Sequence, residues 1–524
     1  MSRAITGLQA LRRVFLRPRL WVAGLALLCA SIPGHGTATP PPEIRFERVD
    51  LETEGRVTEI VPADLNGDGK QDLFVVCARQ ALVFFQGADG SWRKQAHQRF
   101  RFHPRTVLFD VGDIDGDGKQ EIVLLQRDGI LAYRLREVRG KLLYGLRAQR
   151  IAKCPSFFTR PVKKEVRRKE LLRDLDGDGA LDLIVPQRQG FALLRAEGKG
   201  KFAAPALLAA PPEAVLNTGW DRLSGRLFAA YWFPNPAVRQ FDAAGPPEVV
   251  MAREGTVHVY ESAGGGALPT KEKGRFTIPE QKQFSRTVKN PLELDFTMPL
   301  VIEDIDNDQR VDVSSTHVGS GTTRLFRNKG DLAEAFTKPD LTVRAKGVTF
   351  FSYYVDLDGD ERLDLILPRI DKVNVWTILK VLVTRSVPVE MLVYYQRPDG
   401  SFEAEPDFIR EVEVPVALNS KGDRVRFGSS VVVAIDGDFD GDGKKDLLFR
   451  EDDTTLGIYR GLPGRTLEED ASTTVEVPSA EEYQFCLPSI ADLDGDGNSD
   501  VLLRYWSWDR SDDRISLLIT KRVR

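Results

Sequence analysis

The apolar residues of this chain gather into short continuous runs, among them Leu73-Phe74-Val75-Val76 and Val501-Leu502-Leu503, each bounded by turn residues. Runs of this length read as strands buried on both faces. Seven of them are entered from the same polar nonapeptide, the first being Asp64-Leu-Asn66-Gly-Asp68-Gly-Lys-Gln-Asp72, with the others beginning at Asp113, Asp174, Asp304, Asp356, Asp438 and Asp492. Acids recur at positions 1, 3, 5 and 9 of this loop. Position 2 is always apolar: Leu65, Ile114, Leu175, Ile305, Leu357, Phe439 and Leu493. The loop therefore turns one side chain into a core while its neighbours converge as a cage of hard oxygens, the ligand set that Ca²⁺ prefers. An EF-hand would need Glu at position 12 and a helix on either side. Position 12 here is Val75 in the first loop and Leu503 in the last. The unit is strand, calcium loop, strand.

Successive loops start 49, 61, 130, 52, 82 and 54 residues apart. The 130-residue gap holds a decayed copy, Gln240-Phe241-Asp242-Ala243-Ala244-Gly245-Pro246-Pro247-Glu248, which keeps the apolar second position and the acids at 3 and 9 but lacks those at 1 and 5. It divides the gap into 66 and 64 and brings the units to eight. A period in this range built from strands and turns predicts an all-β fold, an eight-bladed β-propeller, with seven blades as the alternative. Downstream of most loops comes an aromatic strand and a Gly-containing turn, as in Val83-Phe84-Phe85-Gln86-Gly87 and Leu325-Phe326-Arg327-Asn328-Lys329-Gly330. After the last loop there is room for two strands, Val501–Trp506 and Ile515–Thr520. With Phe485–Ile490 the final blade then has three strands, and Ile44–Leu51 is expected to be its fourth, removing an exposed sheet edge.

Loop and aromatic-Gly turn together resemble the FG-GAP/VCBS repeat family, the calcium-bearing blades also found in integrin α-subunit heads, over essentially all of residues 39–524. The resemblance implies ions in the loops between the first and second strands of a blade, about seven Ca²⁺ in all. The ligand positions it implies are Asp64, Asn66, Asp68 and Asp72; Asp113, Asp115, Asp117 and Glu121; Asp174, Asp176, Asp178 and Asp182; Asp304, Asp306, Asp308 and Asp312; Asp356, Asp358, Asp360 and Asp364; Asp438, Asp440, Asp442 and Asp446; and Asp492, Asp494, Asp496 and Asp500. Two loops depart from the pattern at position 6, where Gln309 and Glu361 replace glycine. If that position is left-handed, each costs roughly 1–2 kcal/mol.

Residues 1–38 carry five arginines and no acid, then an apolar stretch of 13 residues from Leu20 to Ile32, too short to span a bilayer. They read as a signal peptide, and Leu11-Arg12-Arg13-Val14-Phe15-Leu16-Arg17 resembles the bacterial twin-arginine export signal, with Leu11 in place of its leading Ser or Thr. The expected location is exported: periplasmic, cell-surface or secreted, with no transmembrane span in the mature chain. Extracellular calcium suits weak loops of this kind. Beyond the leader remain Cys77, Cys154 and Cys486, an odd number that argues against a disulfide framework and leaves room for at most one bridge. The net charge of −4 is concentrated in the loops, whose 27 carboxylates repel one another without metal. No basic stripe points to nucleic acid.

The mature chain has four histidines, His97, His103, His258 and His317, and none stands at metal-ligand spacing from another. His97 and His103 read as surface residues. Two regions break the repeat. The stretch Ile370–Val389 reads as a helical insertion, with Val373, Trp376, Leu379 and Val383 at helical spacing, and the aromatics Trp220, Tyr231, Trp232 and Phe233, with Tyr505, Trp506 and Trp508, read as packing between blades. These features suit a calcium-binding adhesion module for an envelope or extracellular protein or glycan, without catalysis. The alternative is a calcium-dependent lyase of acidic polysaccharide with His258, His317 or a Tyr as base.

Overall fold

The computed structural model describes residues 43–522, except 146, 159, 163, 218–227, 243–244, 254, 263–265, 280–294, 331–335, 350, 372–385, 416, 422–423, 429–432, 453, 480–482, 484, 508–509 and 511. Its described residues contain strands and turns and no helix, arranged as eight blade sheets of a β-propeller. Blade 1 runs Val57–Ala63, Asp72–Cys77, Gln80–Phe84 and Gln98–Arg101, each strand paired with the next. Blades 2 to 7 repeat this order with first strands at Leu108–Gly112, Leu172–Arg173, Ala237–Arg239, Val301–Glu303, Tyr353–Val355 and Val433–Gly437. Blade 2 adds a fifth strand, Arg167–Arg168, parallel to its first. Blades 1 to 5 lie in one compact unit, Leu51–Arg344; blades 6 to 8 lie in another, Ala345–Arg524 with the segment ending at Asp50.

Blade 8 is the sheet Phe485–Ala491, Asp500–Trp506, Arg514–Arg522 and Ile44–Leu51, in that order, so the early strand is borrowed as expected. Ile44 and Leu51 are buried. The strand is pinned by Asp50, which accepts hydrogen bonds from Arg514 (2.8 Å) and Ser516 (2.6 Å). Burial alone would raise the Asp50 carboxyl, but the bonds from Arg48, Arg514 and Ser516 bring it down to about 2.

The second strand of each blade is the apolar run, and in blade 1 every residue of Asp72–Cys77 is buried. The position-2 side chains sit where the pattern requires. Leu65 packs with Phe109 and Ile122 of blade 2, Leu175 with Val249 of blade 4, and Phe439 with Val501 of blade 8. Each such burial contributes roughly 1.5–3 kcal/mol.

Within the proposed insertion, residues 372–385 lie outside the described residues. Ser386–Val389 is not helical: it opens the strand Ser386–Tyr394, paired to Phe408–Pro415. Trp220 and Trp508 are also outside. Tyr505 and Trp506 are buried, but Tyr231 and Trp232 are 48% and 46% exposed on the hairpin Glu213–Asn217/Phe228–Trp232, beyond the blades. Cys77, Cys154 and Cys486 are buried and none is in a disulfide.

Candidate metal centres

Each acidic loop is organised by its own carboxylates. The position-1 aspartate accepts the backbone N–H of position 6 in all seven loops, for example Gly69 on Asp64 (2.8 Å) and Gly497 on Asp492 (3.0 Å). Directing that amide inward requires a left-handed residue. Position 6 has φ near +85° at its glycines, and Gln309 and Glu361 adopt +68° and +65°, so the expected strain is present at those two positions. The position-5 aspartate accepts the N–H of position 7 in every loop, as Lys70 on Asp68 (3.0 Å).

Position 9 ties the loop to the sheet. One oxygen accepts the N–H of position 2, as Leu493 on Asp500 (2.8 Å). In six of the seven, the other oxygen accepts an N–H just beyond or near the end of the third strand, as Thr520 on Asp500 (2.7 Å). These acids are fully buried. Burial pushes Asp72, Asp312, Asp364, Asp446 and Asp500 up to about 7, Asp182 to about 6 and Glu121 to about 7; the backbone donors pull the other way and nearby loop carboxylates add to the rise.

Position 3 shows what the loop lacks. Asp494 gives one oxygen to Lys521 (2.6 Å), Asp306 faces Arg327 (3.5 Å), Asp358 faces Arg465 (2.9 Å), and Asp115 pairs with Arg134. The second oxygen of each is buried with no hydrogen-bond partner, as is one oxygen of Asp176. A buried acceptor left bare costs about 1–3 kcal/mol, and a cation in the cage would satisfy it. In blades 2, 3 and 7 positions 1, 3 and 9 bring carboxylate oxygens within 4.8 Å of one another, and in blades 5 and 6 positions 1, 3 and 5 do so. These clusters could hold metal ions, and the donor set of hard oxygens fits a divalent cation such as Ca²⁺.

Sequence reasoning missed the basic residues. Arg134, Arg327 and Arg460 each directly follow the aromatic third strand of their own blade, a recurrence visible in Tyr133-Arg134, Phe326-Arg327 and Tyr459-Arg460. Arg460 pairs with Asp440 (3.0 Å). In blade 6 that place is Tyr395, and the charge comes instead from Arg465 of blade 7, stacked 4.8 Å over the Tyr395 ring. Blade 1, whose position 3 is the neutral Asn66, has Phe85 there.

The loops also link from blade to blade. The N–H of position 8 donates to the carbonyl of position 1 or 2 in the preceding blade's loop: Gln120 to Leu65, Val311 to Gln240, Lys445 to Leu357 and Ser499 to Asp438 (2.7–3.1 Å).

The histidines are all engaged. His97 accepts the N–H of Phe85 (3.1 Å) and His103 contacts Gln126 (2.8 Å), so both are half-buried structural groups rather than surface residues. His258 pairs with Glu272 (2.9 Å). His317 lies between Ser320 (3.0 Å) and Asp295 (3.0 Å), at a hairpin tip where the Ser320 hydroxyl also donates to Thr322.

The sequence pattern described as an FG-GAP-like repeat matches residues 64–124 and 438–503. No curated protein matches the chain. Among solved structures, an Agrocybe aegerita lectin recognising non-reducing terminal N-acetylglucosamine is 17% identical over 68% of this chain and 80% of its own, with a TM-score of 0.41. A biofilm matrix protein of V. cholerae is 14% identical, covering 91% and 88%, with a TM-score of 0.33. A rhamnogalacturonan lyase of Bacillus licheniformis is 14% identical, covering 90% and 75%, with a TM-score of 0.35. Likeness at this level carries nothing about activity. This chain is a β-propeller of eight blades in which two stretches, residues 64–124 and 438–503, one in each compact unit, match the FG-GAP-like repeat.

Proposed function

We propose that this protein is an exported, calcium-stabilised β-propeller that binds a protein or glycan partner and does no chemistry of its own. The observation that carries the calcium reading is the bare, buried position-3 oxygen in Asp115, Asp176, Asp306, Asp358 and Asp494. Ions there would rigidify the interlinked loops, and binding would fall to elements outside the repeat. The hairpin bearing Tyr231 and Trp232 supports a glycan, since exposed aromatic faces combine apolar area with a polar edge. Metal analysis of calcium-equilibrated protein should return about seven ions per chain, and two or fewer would defeat the reading. Tyr231→Ala with Trp232→Ala should abolish retention on the glycan found by array screening while leaving calcium content unchanged.

A lyase is the second reading because His258 and His317 each hold a carboxylate partner that orients the ring. Release of unsaturated ends absorbing in the ultraviolet from an acidic polysaccharide would establish it.

A further inference from the structure

Blade 4 keeps the contact between positions 9 and 2 of its loop while its charges are rearranged. At position 1, Gln240 reverses the polarity of its neighbours' aspartates: its amide donates to the carbonyls of Asp242 (2.6 Å) and Gly245 (3.4 Å) instead of accepting the loop's amides. At position 9, Glu248 still accepts the N–H of position 2, Phe241 (2.9 Å). Its other oxygen, which in six of the seven acidic loops meets a backbone donor, accepts Lys273 Nζ at 2.8 Å. The same ammonium pairs with Asp242 at position 3. Lys273 reaches in from the fourth strand, Lys271–Thr277, and its side chain is only 19% exposed.

We propose that Lys273 is a built-in cation that replaces the metal in blade 4, so that this blade is held without calcium. Three comparisons within the molecule support the assignment. Lys273 bridges positions 3 and 9, two of the three positions whose oxygens converge in blades 2, 3 and 7. In blades 2, 5, 6 and 8 a basic side chain neutralises one position-3 oxygen and the other stays bare and buried, whereas in blade 4 the ammonium holds Asp242 and the buried Glu248 together, and both Glu248 oxygens are engaged, one by Phe241 and one by Lys273. The place that holds Arg134, Arg327 or Arg460 in other blades is Glu261 here by strand register, an acid that is itself paired with Lys271 (2.6 Å). A blade that relied on calcium would have kept the acid at position 1. This one spends its remaining acids on an ammonium.

The proposal rests on the reading that the other loops hold calcium, and its test separates the two. Hydrogen exchange followed by mass spectrometry is compared with and without chelator on the full chain. Native residues 237–277 should keep their protection in chelator while the other blades lose theirs. Lys273→Met should accelerate exchange in that segment at least tenfold, with no recovery in saturating calcium. Unchanged exchange in Lys273→Met, or its rescue by calcium, overturns the proposal. If no blade responds to chelator the calcium reading fails, and Lys273→Met still decides this one. Gln240→Asp combined with Lys273→Gln should add one calcium per chain and make protection of 237–277 chelator-sensitive; an unchanged ion count counts against the assignment.

Discussion

Calcium loading and proton release should be coupled through the position-9 acids. In metal-free protein burial raises Asp500 from 3.8 to about 7, against the pull of the Thr520 and Leu493 amides, and Asp72, Asp312, Asp364 and Asp446 likewise stand at about 7. Glu121 rises from 4.5 to about 7. At pH 6 such a group is about nine-tenths protonated, yet a metal ligand must be ionised. Each filled site whose position-9 acid stands at about 7 should therefore release about 0.9 proton at pH 6 and about 0.1 at pH 8. The folded carboxyl binds its proton more tightly than the unfolded one, and this fixes the direction of the stability change. The protonated acid's contribution is complete below 3.8 and is lost as pH rises through about 7. A tenfold difference in proton affinity is worth about 1.4 kcal/mol, which gives about 2 kcal/mol per group between pH 5 and 7. Residual hydration of the loops cuts this to about 1. Metal-free protein should gain stability on acidification from pH 7 to 5, while the stabilisation given by calcium shrinks over the same range. Calorimetric titration of calcium in two buffers of different ionisation enthalpy at pH 6 counts the protons directly. Urea unfolding of dialysed protein at the two pH values measures the second effect. Proton release near zero at pH 6, together with a calcium stabilisation that does not vary with pH, would refute the reasoning.

Phe439→Ala removes a fully buried side chain between blades 7 and 8 and should cost about 3–5 kcal/mol in urea unfolding without lowering the number of ions bound. Gln309→Gly relieves the left-handed strain at φ +68°; against roughly 1–2 kcal/mol of strain, glycine costs about 0.5–1 in unfolded-chain entropy, so the melting temperature should rise slightly rather than fall. Asp50→Asn weakens the contacts to Arg514 and Ser516 and should raise hydrogen exchange in Ile44–Leu51 and Arg514–Arg522 while sparing blades 1 to 5. Because the Asp50 carboxyl is held at about 2, its stabilising contribution is present above the ordinary aspartate value of 3.8 and disappears as pH falls through about 2, so the difference between native and variant should vanish there.

How far the molecule could be read from its residues depended on the distance over which each feature is encoded. The loop, its apolar second residue and the strand that follows it lie within a dozen positions, and Leu65, Phe439 and their counterparts fall where the pattern placed them. The borrowed strand was legible by elimination, since Ile44–Leu51 had no other partner. The groups around the cages were not, because they reach the loop through sheet register: Arg134 lies 19 residues from Asp115, Lys273 lies 31 from Asp242, and Arg465 crosses from the next blade. The exposure of Tyr231 and Trp232 was not legible because their strand pairs only within a two-stranded hairpin outside the blades, a placement that no local pattern encodes.

The joining of Ile44–Leu51 to Arg514–Arg522 sets a kinetic condition on folding. The Asp50 and Ser516 side chains that bond across this seam are 466 residues apart, whereas the other pairings of that sheet close over a single loop. Loop-closure entropy grows by about 0.6 kcal/mol per doubling of length, so this contact costs about 3 kcal/mol more than a hairpin of some fifteen residues. Its formation belongs at the end of folding, and until then the outer edge of Arg514–Arg522 is open to pairing with any strand nearby. A chain made or exported in sequence presents its first strand long before the acceptor exists. The step that decides between a finished monomer and a strand-swapped assembly is therefore the last one, and dilution during refolding should favour the monomer.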